Sequence, residues 1–571
     1  LPISIKADQV TATRGHHPGT KSWSRLRGLG PRRRDYAGLR SSWKGDVIAG
    51  LTVGVVALPL ALAFGITTGL GADAGLITAI VAGLVAAVFG GSNVQVSGPT
   101  GAMTVVLVPI VARYGPDAVF VVSMLAGVLL VVAAVARIGR YIAFIPWPVV
   151  EGFTVGIAVI IFLQQVPPAL GVVKPKGDNT ALVAAKAVVD AFGDGRGQAI
   201  GIVVLVAAGM IGLPRIRRSL PASLIAVAIA TIVAKVASLD VARIGSLPSS
   251  LPLPTLPHTS LTQINDLFSA GIAVALLAAI ESLLSARVAD GMSDGARHDP
   301  DRELFGQGLA NLAAPLFGGM PATGAIARTA VNVRSGARTR VAAVTHAVVL
   351  VLVVFFGGRL VAEIPLAALS GVLMVTAIRM VEIHNVRSVL RSTRSDALVL
   401  VLTAAATIAF DLIVAVEIGV AVAVMLAVRH VARNSGAEIE PLTLDETVTD
   451  AEEARLLHEH IVVYRLDGAL FFGAAQWFLT ELTAVTDVKI VILRLSQIQV
   501  LDATGAQALG EIVDELESRG ITVFLKGLQP RHQRILQAVG TLDHLAHERH
   551  LFDTLDDAVN HARLHLARSK N

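Results

Sequence analysis

Between residues 46 and 432 the chain is a succession of apolar blocks separated by short charged turns, and few architectures accommodate that pattern. Fourteen blocks can be marked off, at 46–68, 72–90, 99–112, 116–136, 144–164, 198–214, 220–237, 267–289, 303–317, 324–334, 338–356, 363–378, 394–410 and 412–430. Stretches such as Val341–Phe356 and Leu398–Ala427 are apolar around nearly their whole circumference. A helix of that kind sits in the core of a large protein or crosses a bilayer. Composition separates the two readings. With 53% hydrophobic and only 16% charged residues, against roughly 25% charged in ordinary soluble domains, too little polar surface remains to coat a soluble particle. A polytopic membrane protein is expected. Several blocks are shorter than the ~20 residues a full span needs, and those at 99 and 324 begin after Gly/Pro-rich sequence and read as half-helices.

The charge is distributed unevenly. Residues 1–44 carry ten Lys/Arg against Asp8 and Asp35, so this segment is +8 on a chain whose formal net charge is +5. A nucleic-acid-binding arm is one reading. The apolar span that follows at once favours the other, a cytoplasmic basic arm on the positive-inside pattern, with no nucleic-acid partner. Fourteen spans would return the chain to the cytoplasm at 433, in agreement with Arg429 and Arg433. No cleavable signal peptide fits the start. The expected organisation is therefore 1–43 basic arm, 44–432 transmembrane domain, 433–456 acidic linker, 457–560 small α/β domain and 561–571 tail. The loops 167–197 and 238–262 are longer and wetter. In the last quarter the period changes. His460–Leu466, Lys489–Leu495 and Thr522–Lys526 read as strands, and Ala474–Thr486, Ala503–Ser518 and Pro530–Ala538 as amphipathic helices. Leu551–Asn571 reads as a helical tail.

The most informative motif is a pair. Ser97-Gly98-Pro99-Thr100-Gly101-Ala102-Met103-Thr104 and Gly318-Gly319-Met320-Pro321-Ala322-Thr323-Gly324-Ala325-Ile326-Ala327-Arg328-Thr329 are both Gly/Pro/Thr breaks followed by a helical run. They fall in the third and tenth of fourteen spans, equivalent places in two halves of seven, and such matched interruptions point to a transporter site near the midplane. A helix that starts inside the membrane leaves its first N–H groups without carbonyl partners, at the positive end of its dipole. Two such ends make a site for an anion. Gly98, Gly101 and Gly324 let backbone approach a ligand, Thr100 and Thr104 offer hydroxyls, and Arg328, one turn into the second half-helix, adds a full charge. A simple kink is the bland reading of either break alone.

Glu281 lies inside the apolar run Leu276–Ser285, and a carboxylate there is functional by default. Ser285 at i+4 shares its face. The pair suits Na⁺ or proton binding; a structural partnership of Glu281 with Arg328 is the alternative. Asp290, Asp294 and His298 at the membrane edge are expected to be solvated, and Asp411 and Glu417 to serve helix ends or packing. In the first span, Pro59 frees a carbonyl and Phe64 could wall an anion pocket. Gly50 and Gly54 make a small-xxx-small contact that is weak as a signal. There is no Walker loop, HExxH or EF-hand pattern, and His16-His17 is slight evidence for a metal. With no cysteine, thiol nucleophiles and Cys-ligated metal are excluded. No enzyme activity and no cofactor are expected, Na⁺ entering only as a coupling ion.

The first span (Ala57–Gly65), the Ser97–Gly101 stretch, Glu281 and the Pro321–Asn332 segment together resemble the SulP family of anion transporters, related to the animal sulfate and anion exchangers. The resemblance runs from about 44 to 555, and its nearest branch is similar to the cyanobacterial sodium-dependent bicarbonate transporters. It implies two inverted seven-helix repeats, with spans 1–4 and 8–11 as a core and 5–7 and 12–14 as a gate. It also implies an elevator motion and a dimer. By position, Gly324, Ala325 and Ile326 match the backbone beside bicarbonate and the cation. Glu281 and Ser285 match residues that help hold sodium. Phe64 and Arg328 match pocket positions in the animal exchangers, and Gly98, Pro99, Thr100, Gly101 and Thr104 complete the expected substrate site. The cyanobacterial type has Asp in place of Glu281 and Thr in place of Ser285 and of Ile326, which weakens the sodium assignment. Many sulfate-type members have Gln where this chain has Leu60. The C-terminal domain resembles a STAS domain through Leu501-Asp502-Ala503-Thr504-Gly505. Ala503 replaces the phosphorylated Ser of the anti-sigma antagonists, so that switch is absent and Asp502 reads as a helix cap.

The expectation is a secondary transporter of a small inorganic anion, bicarbonate or sulfate, in the cell membrane, coupled to Na⁺ or H⁺, with both termini cytoplasmic. A cytosolic regulator is a candidate partner of the STAS domain. The competing readings are a C4-dicarboxylate carrier of the same family, an uncoupled exchanger or channel, and a membrane scaffold whose soluble domain does the work.

Overall fold

A chain inside a bilayer must satisfy its backbone hydrogen bonds internally, and here it does so with helices. The computed structural model describes residues 29–568 apart from 37, 141–145, 178, 192–196, 217–220, 246–249, 251, 256–260, 294–296, 411, 434–435, 441–459, 472–487, 546 and 548–549. The chain divides into two compact units, one running to Val420 and the other from Ala421.

Each of the fourteen apolar blocks coincides with a helix. In chain order the helices are α1 Leu39–Thr68, α2 Ala72–Phe89, α3 Gly101–Tyr114, α4 Asp117–Val135, α5 Trp147–Gln164, α6 Val166–Ala169, α7 Thr180–Ala191, α8 Gly197–Ile216, α9 Ala222–Val236, α10 Leu261–Met292, α11 Pro300–Leu316, α12 Ile326–Arg334, α13 Val341–Ala362, α14 Leu366–Met380, α15 Ile383–Ser392, α16 Arg394–Ala409 and α17 Leu412–Arg433. Among the described residues eight helices are long and apolar enough to cross a membrane. Large apolar side chains that a soluble fold would hide are exposed, including Val204 (60%), Ile232 (61%) and Phe356 (83%). Exposed apolar surface on that scale fits lipid, and the chain is a multi-pass helical membrane protein.

Helices in lipid gain little from burying apolar surface and associate through close packing at small residues. The Gly50/Gly54 face of α1 packs on α13, where a Cβ on Gly50 would lie 2.4 Å from the Ala342 carbonyl oxygen and one on Gly54 2.9 Å from Val349. At the α1–α2 turn a Cβ on Gly75 would lie 1.8 Å from the Ala61 carbonyl oxygen. Gly127 of α4 and Gly308 of α11 are reciprocal, each with the other's carbonyl within 3 Å of its ideal Cβ position. These contacts bring α2 and α11 against the two breaks.

The structure corrects several expectations. Loop 167–197 contains α7 and the end of α6, and the charged turn 379–394 contains the amphipathic α15. Residues 29–43 are not a free arm: Leu29 is buried, Arg33–Tyr36 form a 3-10 turn, and α1 begins at Leu39. Asp290 and His298 are not solvated. Their side chains are 17% and 12% exposed and paired at 2.7 Å. The rest of the arm, Asp294, Asp411, the side chain of Glu417, helix Ala474–Thr486 and most of the acidic linker lie outside the described residues.

In the second unit β3 Gly436–Glu440, β4 Ile461–Leu470, β5 Ile490–Arg494, β6 Ile498–Leu501, β7 Thr522–Lys526 and β8 Leu551–Phe552 alternate with α18 Ala503–Ser518, α19 Pro530–Val539 and α20 Leu555–Arg568. The strand β1 Ser97–Gly98 and the strand β2 Thr323–Gly324 belong to the first unit. The larger sheet has the order β3-β4-β5-β7-β8, with β6 pairing β4. It is parallel except for β3. Two-residue alternation splits its side chains. Val491, Leu493, Val523 and Leu525 face the side of Leu509, Ile512 and Leu516 of α18, and Ile490, Ile492 and Phe524 face Ala558 and Ala562 of α20. The start of the acidic linker is thus strand β3, and the tail beyond 561 continues a packed helix. Asp502 caps α18, its carboxylate accepting from Gly505 N–H at 2.8 Å.

At one end of the first unit a buried charge network ties the N-terminal segment to the body. Arg302 donates to both carboxylate oxygens of Asp35, at 3.1 and 2.6 Å, and Arg340 lies 3.7 Å from the same carboxylate. Arg340 also donates to the carbonyls of Ala87, Val88 and Gly90, capping the end of α2 where a cation is favoured. Burial pushes the Asp35 carboxyl up, but the hydrogen bonds from Arg302 and Arg32 and the charge of Arg340 outweigh it, and its pKa sits below the ordinary value. A depressed folded-state pKa means that this pair's stability is present above the unfolded-state pKa and lost as pH falls through the folded one. Asp35→Ala should therefore destabilise the detergent-solubilised protein by about 3 kcal/mol at neutral pH. In an Arg302→Met background the same change should matter less. Additive losses in thermal unfolding of the two single variants and the double variant would show the pair uncoupled.

Candidate functional site

The two breaks meet. Strand β1 pairs antiparallel with β2, Ser97 opposite Gly324 and Gly98 opposite Thr323. Beyond β1 the chain enters α3, and beyond β2 it enters α12. Because the ladder is antiparallel, the two helices leave from its opposite ends, and each turns its N-terminus toward it. The first helical bond of α3 runs from Thr104 N–H to Thr100, and that of α12 from Thr329 N–H to Ala325. The N–H groups of Gly101, Ala102 and Met103, and of Ile326, Ala327 and Arg328, therefore have no carbonyl inside their helices. Neither N-cap side chain takes their place. Ala325 has no polar side chain, and the Thr100 hydroxyl is directed elsewhere.

It is directed to Glu281. Thr100 Oγ1 donates to Glu281 Oε2 at 2.8 Å, and Thr323 Oγ1 donates to the same oxygen at 2.6 Å. One carboxylate on α10 thus joins both breaks. Its Oε1 has no hydrogen bond among the described residues. Arg328, 3% exposed, donates through Nη2 to the Pro99 carbonyl, while its Nη1 is buried with no partner. A buried unpaired guanidinium nitrogen is a strong demand for an acceptor. No ion pair joins Glu281 to Arg328 among the described residues; each reaches across to the first break instead.

Close approach explains the glycines. A Cβ on Gly324 would fall 1.6 Å from Gln95 Nε2, and one on Gly98 2.6 Å from Arg328 Nη1. A Cβ on Gly101 would meet Ile161 at 2.4 Å and the Phe64 ring at 3.5 Å. Phe64 is buried at that position, beside the N-terminus of α3.

Other expected residues take different roles. Ser285 shares the Glu281 face but donates to Thr329 Oγ1 at 3.0 Å, and Thr104 returns its hydroxyl to the Gly101 carbonyl at 2.6 Å. Ala325 is buried and gives its N–H to the Val96 carbonyl at 2.9 Å, while Ile326 is 39% exposed.

Sequence reasoning gave no role to the groups that hold the broken backbone. Asn311 receives Ala322 N–H and donates to its carbonyl, both at 2.9 Å. Gln307 donates to Ser97 Oγ at 2.6 Å, Ser282 Oγ accepts from Gly324 N–H at 2.9 Å, and Thr78 accepts from Met320 N–H at 2.7 Å. Thr329 accepts from Val96 N–H at 3.1 Å. His346 on α13 is wholly buried with neither ring nitrogen hydrogen-bonded. Two signals were available: the Thr-Gly dipeptide repeated in both breaks, and two amides four residues apart in the apolar block 303–317.

Comparison with known proteins places the chain in a family. The sulfate permease family profile matches residues 43–403, and the STAS domain profile residues 456–558. A protein of Bacillus subtilis (strain 168), YvdB, named as a candidate sulfate transporter, is 36% identical over 90% of this chain and 96% of its own length. The bicarbonate transporter BicA of Picosynechococcus sp. is 30% identical over 86% of this chain and 90% of its own. The solved structure of the murine Solute Carrier 26 family member A9 anion transporter, in the inward-facing state, superposes with a TM-score of 0.82. It covers 97% of this chain and 96% of that one at 16% identity, a likeness of fold. The chain belongs to the sulfate permease (SulP) family of anion transporters and carries a C-terminal STAS domain.

Proposed function

We propose that this protein is a secondary active transporter of a small inorganic anion of the bicarbonate or sulfate class, working by elevator-type alternating access. One observation carries the reading. Two helix N-termini converge on one two-residue ladder with their first N–H groups uncapped, next to a guanidinium nitrogen that lacks an acceptor. An anion held there would accept from backbone donors at both positive helix ends and from Arg328 Nη1. Phe64 would close one side, and Gly98, Pro99, Thr100, Gly101, Gly324, Ala325 and Ile326 would supply the backbone wall. Thr104 would contribute by fixing the first turn of α3. The fourteen helices act as spans in two inverted halves of seven, within a cell membrane, with both termini cytoplasmic and a dimer as the assembly.

Glu281 is the coupling residue in this reading. Its Oε1 is open, its Oε2 is bonded to one hydroxyl from each break, and oxygen donors of this kind suit Na⁺ or a proton. Occupation of the carboxylate by a cation would alter both hydroxyl bonds and hence the geometry of both half-helices. Ser285 acts through Thr329, which holds Val96 beside the ladder. A cavity of about 190 Å³ lined by Ala63, Thr67, Gln165, Lys174 and Ser370 lies beside the Phe64 turn. The STAS domain has no catalytic constellation in this reading and serves assembly or regulation by a cytosolic partner.

Uptake of labelled bicarbonate, sulfate and fumarate into proteoliposomes, with and without sodium and pH gradients, tests the reading. Gradient-driven uptake of bicarbonate or sulfate is expected. Fumarate alone would make it a dicarboxylate carrier, and currents far above carrier turnover a channel. Glu281→Gln should abolish gradient-driven uptake at normal expression, and wild-type coupling in that variant would reduce Glu281 to a structural role. Arg328→Ala should weaken the half-saturating anion concentration at least tenfold, about 1.4 kcal/mol. An unchanged anion dependence would remove Arg328 from the pocket.

A further inference from the structure

The second unit holds a cluster that transport does not use. His561 and His565 lie four residues apart on α20, the spacing that sets two imidazoles on one helix face. His550 stands directly before β8 and faces them. Ring centroids are 5.0 Å apart for His561–His565, 5.4 Å for His550–His565 and 5.9 Å for His550–His561. One ring nitrogen from each of the three lies within 4.8 Å of the others. His550 is 3% exposed, and its Nδ1 is buried with no hydrogen-bond partner. Phe524 of β7 backs all three rings at centroid distances of 4.7, 5.5 and 5.8 Å.

We propose that His550, His561 and His565 form a three-imidazole site for a divalent transition metal ion, of which Zn²⁺ is the representative. Imidazole nitrogen is the ligand type that zinc, copper and nickel favour over the hard cations. A tetrahedral zinc at about 2.0–2.1 Å from each nitrogen sets the nitrogens about 3.4 Å apart, so the present spacing of up to 4.8 Å shortens as the ion binds. The fourth position falls to water or to His547, whose ring centroid is 5.8 Å from that of His550. Metal ligation needs neutral imidazole. Simple aromatic packing against Phe524 accounts for the ring stacking but leaves His550 Nδ1 without a partner. A bound ion would add to the packing of Leu555, Ala558, Val559, Ala562 and Leu566 that already holds α20 on the sheet.

The full-length protein, purified in detergent without a polyhistidine tag and stripped with chelator, is titrated with Zn²⁺ against a chromophoric competitor. One tight equivalent is expected in the wild type and in a His16→Gln/His17→Gln control. His561→Gln/His565→Gln should weaken it at least tenfold and abolish the Zn²⁺-dependent rise in unfolding temperature. Equal binding in that variant, or loss of the site in the His16/His17 control, overturns the proposal. Zinc-edge X-ray absorption on the wild type stands independently of any variant's folding. Three imidazole nitrogens in the first shell support the site, and a shell of fewer than three overturns it.

Discussion

The first unit depends on satisfying the backbone where two helices stop in the middle of a membrane domain. Unpaired N–H and C=O groups in hydrocarbon are so costly that interrupted backbone survives there only when buried in protein or lining a cavity. At the breaks the chain supplies its own partners. The β1–β2 ladder pairs the two interruptions with each other, and Asn311, Gln307, Ser282, Thr78 and Thr329 absorb most of the remaining groups. What stays open is the set of N–H groups at the starts of α3 and α12, together with Arg328 Nη1. The acceptors Gln95 Oε1, Gln307 Oε1 and Asn332 Oδ1 are also buried without a partner among the described residues, and the proposed anion site rests on the donors at the two helix starts and on Arg328.

The same arrangement makes the site a junction between distant parts of the chain. Glu281 comes from α10, its two hydroxyl partners from the two breaks, and the amides that support the ladder from α11. Small residues permit this convergence, because the Gly127–Gly308 contact and the α1–α2 turn leave no room for a Cβ. One carboxylate is therefore tied to both breaks by hydroxyl bonds shorter than 3 Å. The peripheral Asp35–Arg302–Arg340 network is of another kind. It anchors the entry to α1 and the end of α2.

The helices were legible because their signal is local: a block of apolar residues in lipid has no alternative to a helix. The paired breaks were legible for a similar reason, since Gly and Pro mark an interruption wherever they fall. Strands Ile498–Leu501 and Leu551–Phe552 were missed because runs of four and two residues have no readable period. Helix α7 was missed because a helix of twelve residues with modest amphipathicity looks like a wet loop. Asp290 and His298 were misjudged because a charged residue near a span end signals solvent unless its partner, eight residues on, is known to fold back upon it.

By itself the sequence determined the class of the protein, the order of its helices, the positions of the two interruptions, and the few ionisable residues inside them. Composition and spacing carry that information residue by residue. The tertiary structure decided which groups meet: Glu281 with Thr100 and Thr323, Ser285 with Thr329, Arg328 with Pro99, and three histidines of the last helix and its approach with one another. Those pairings span from four to more than two hundred residues of chain. No local propensity encodes them, because a hydrogen bond is selected by which elements pack together, and packing is settled only when the small-residue faces of the helices and the alternating faces of the sheet have found each other.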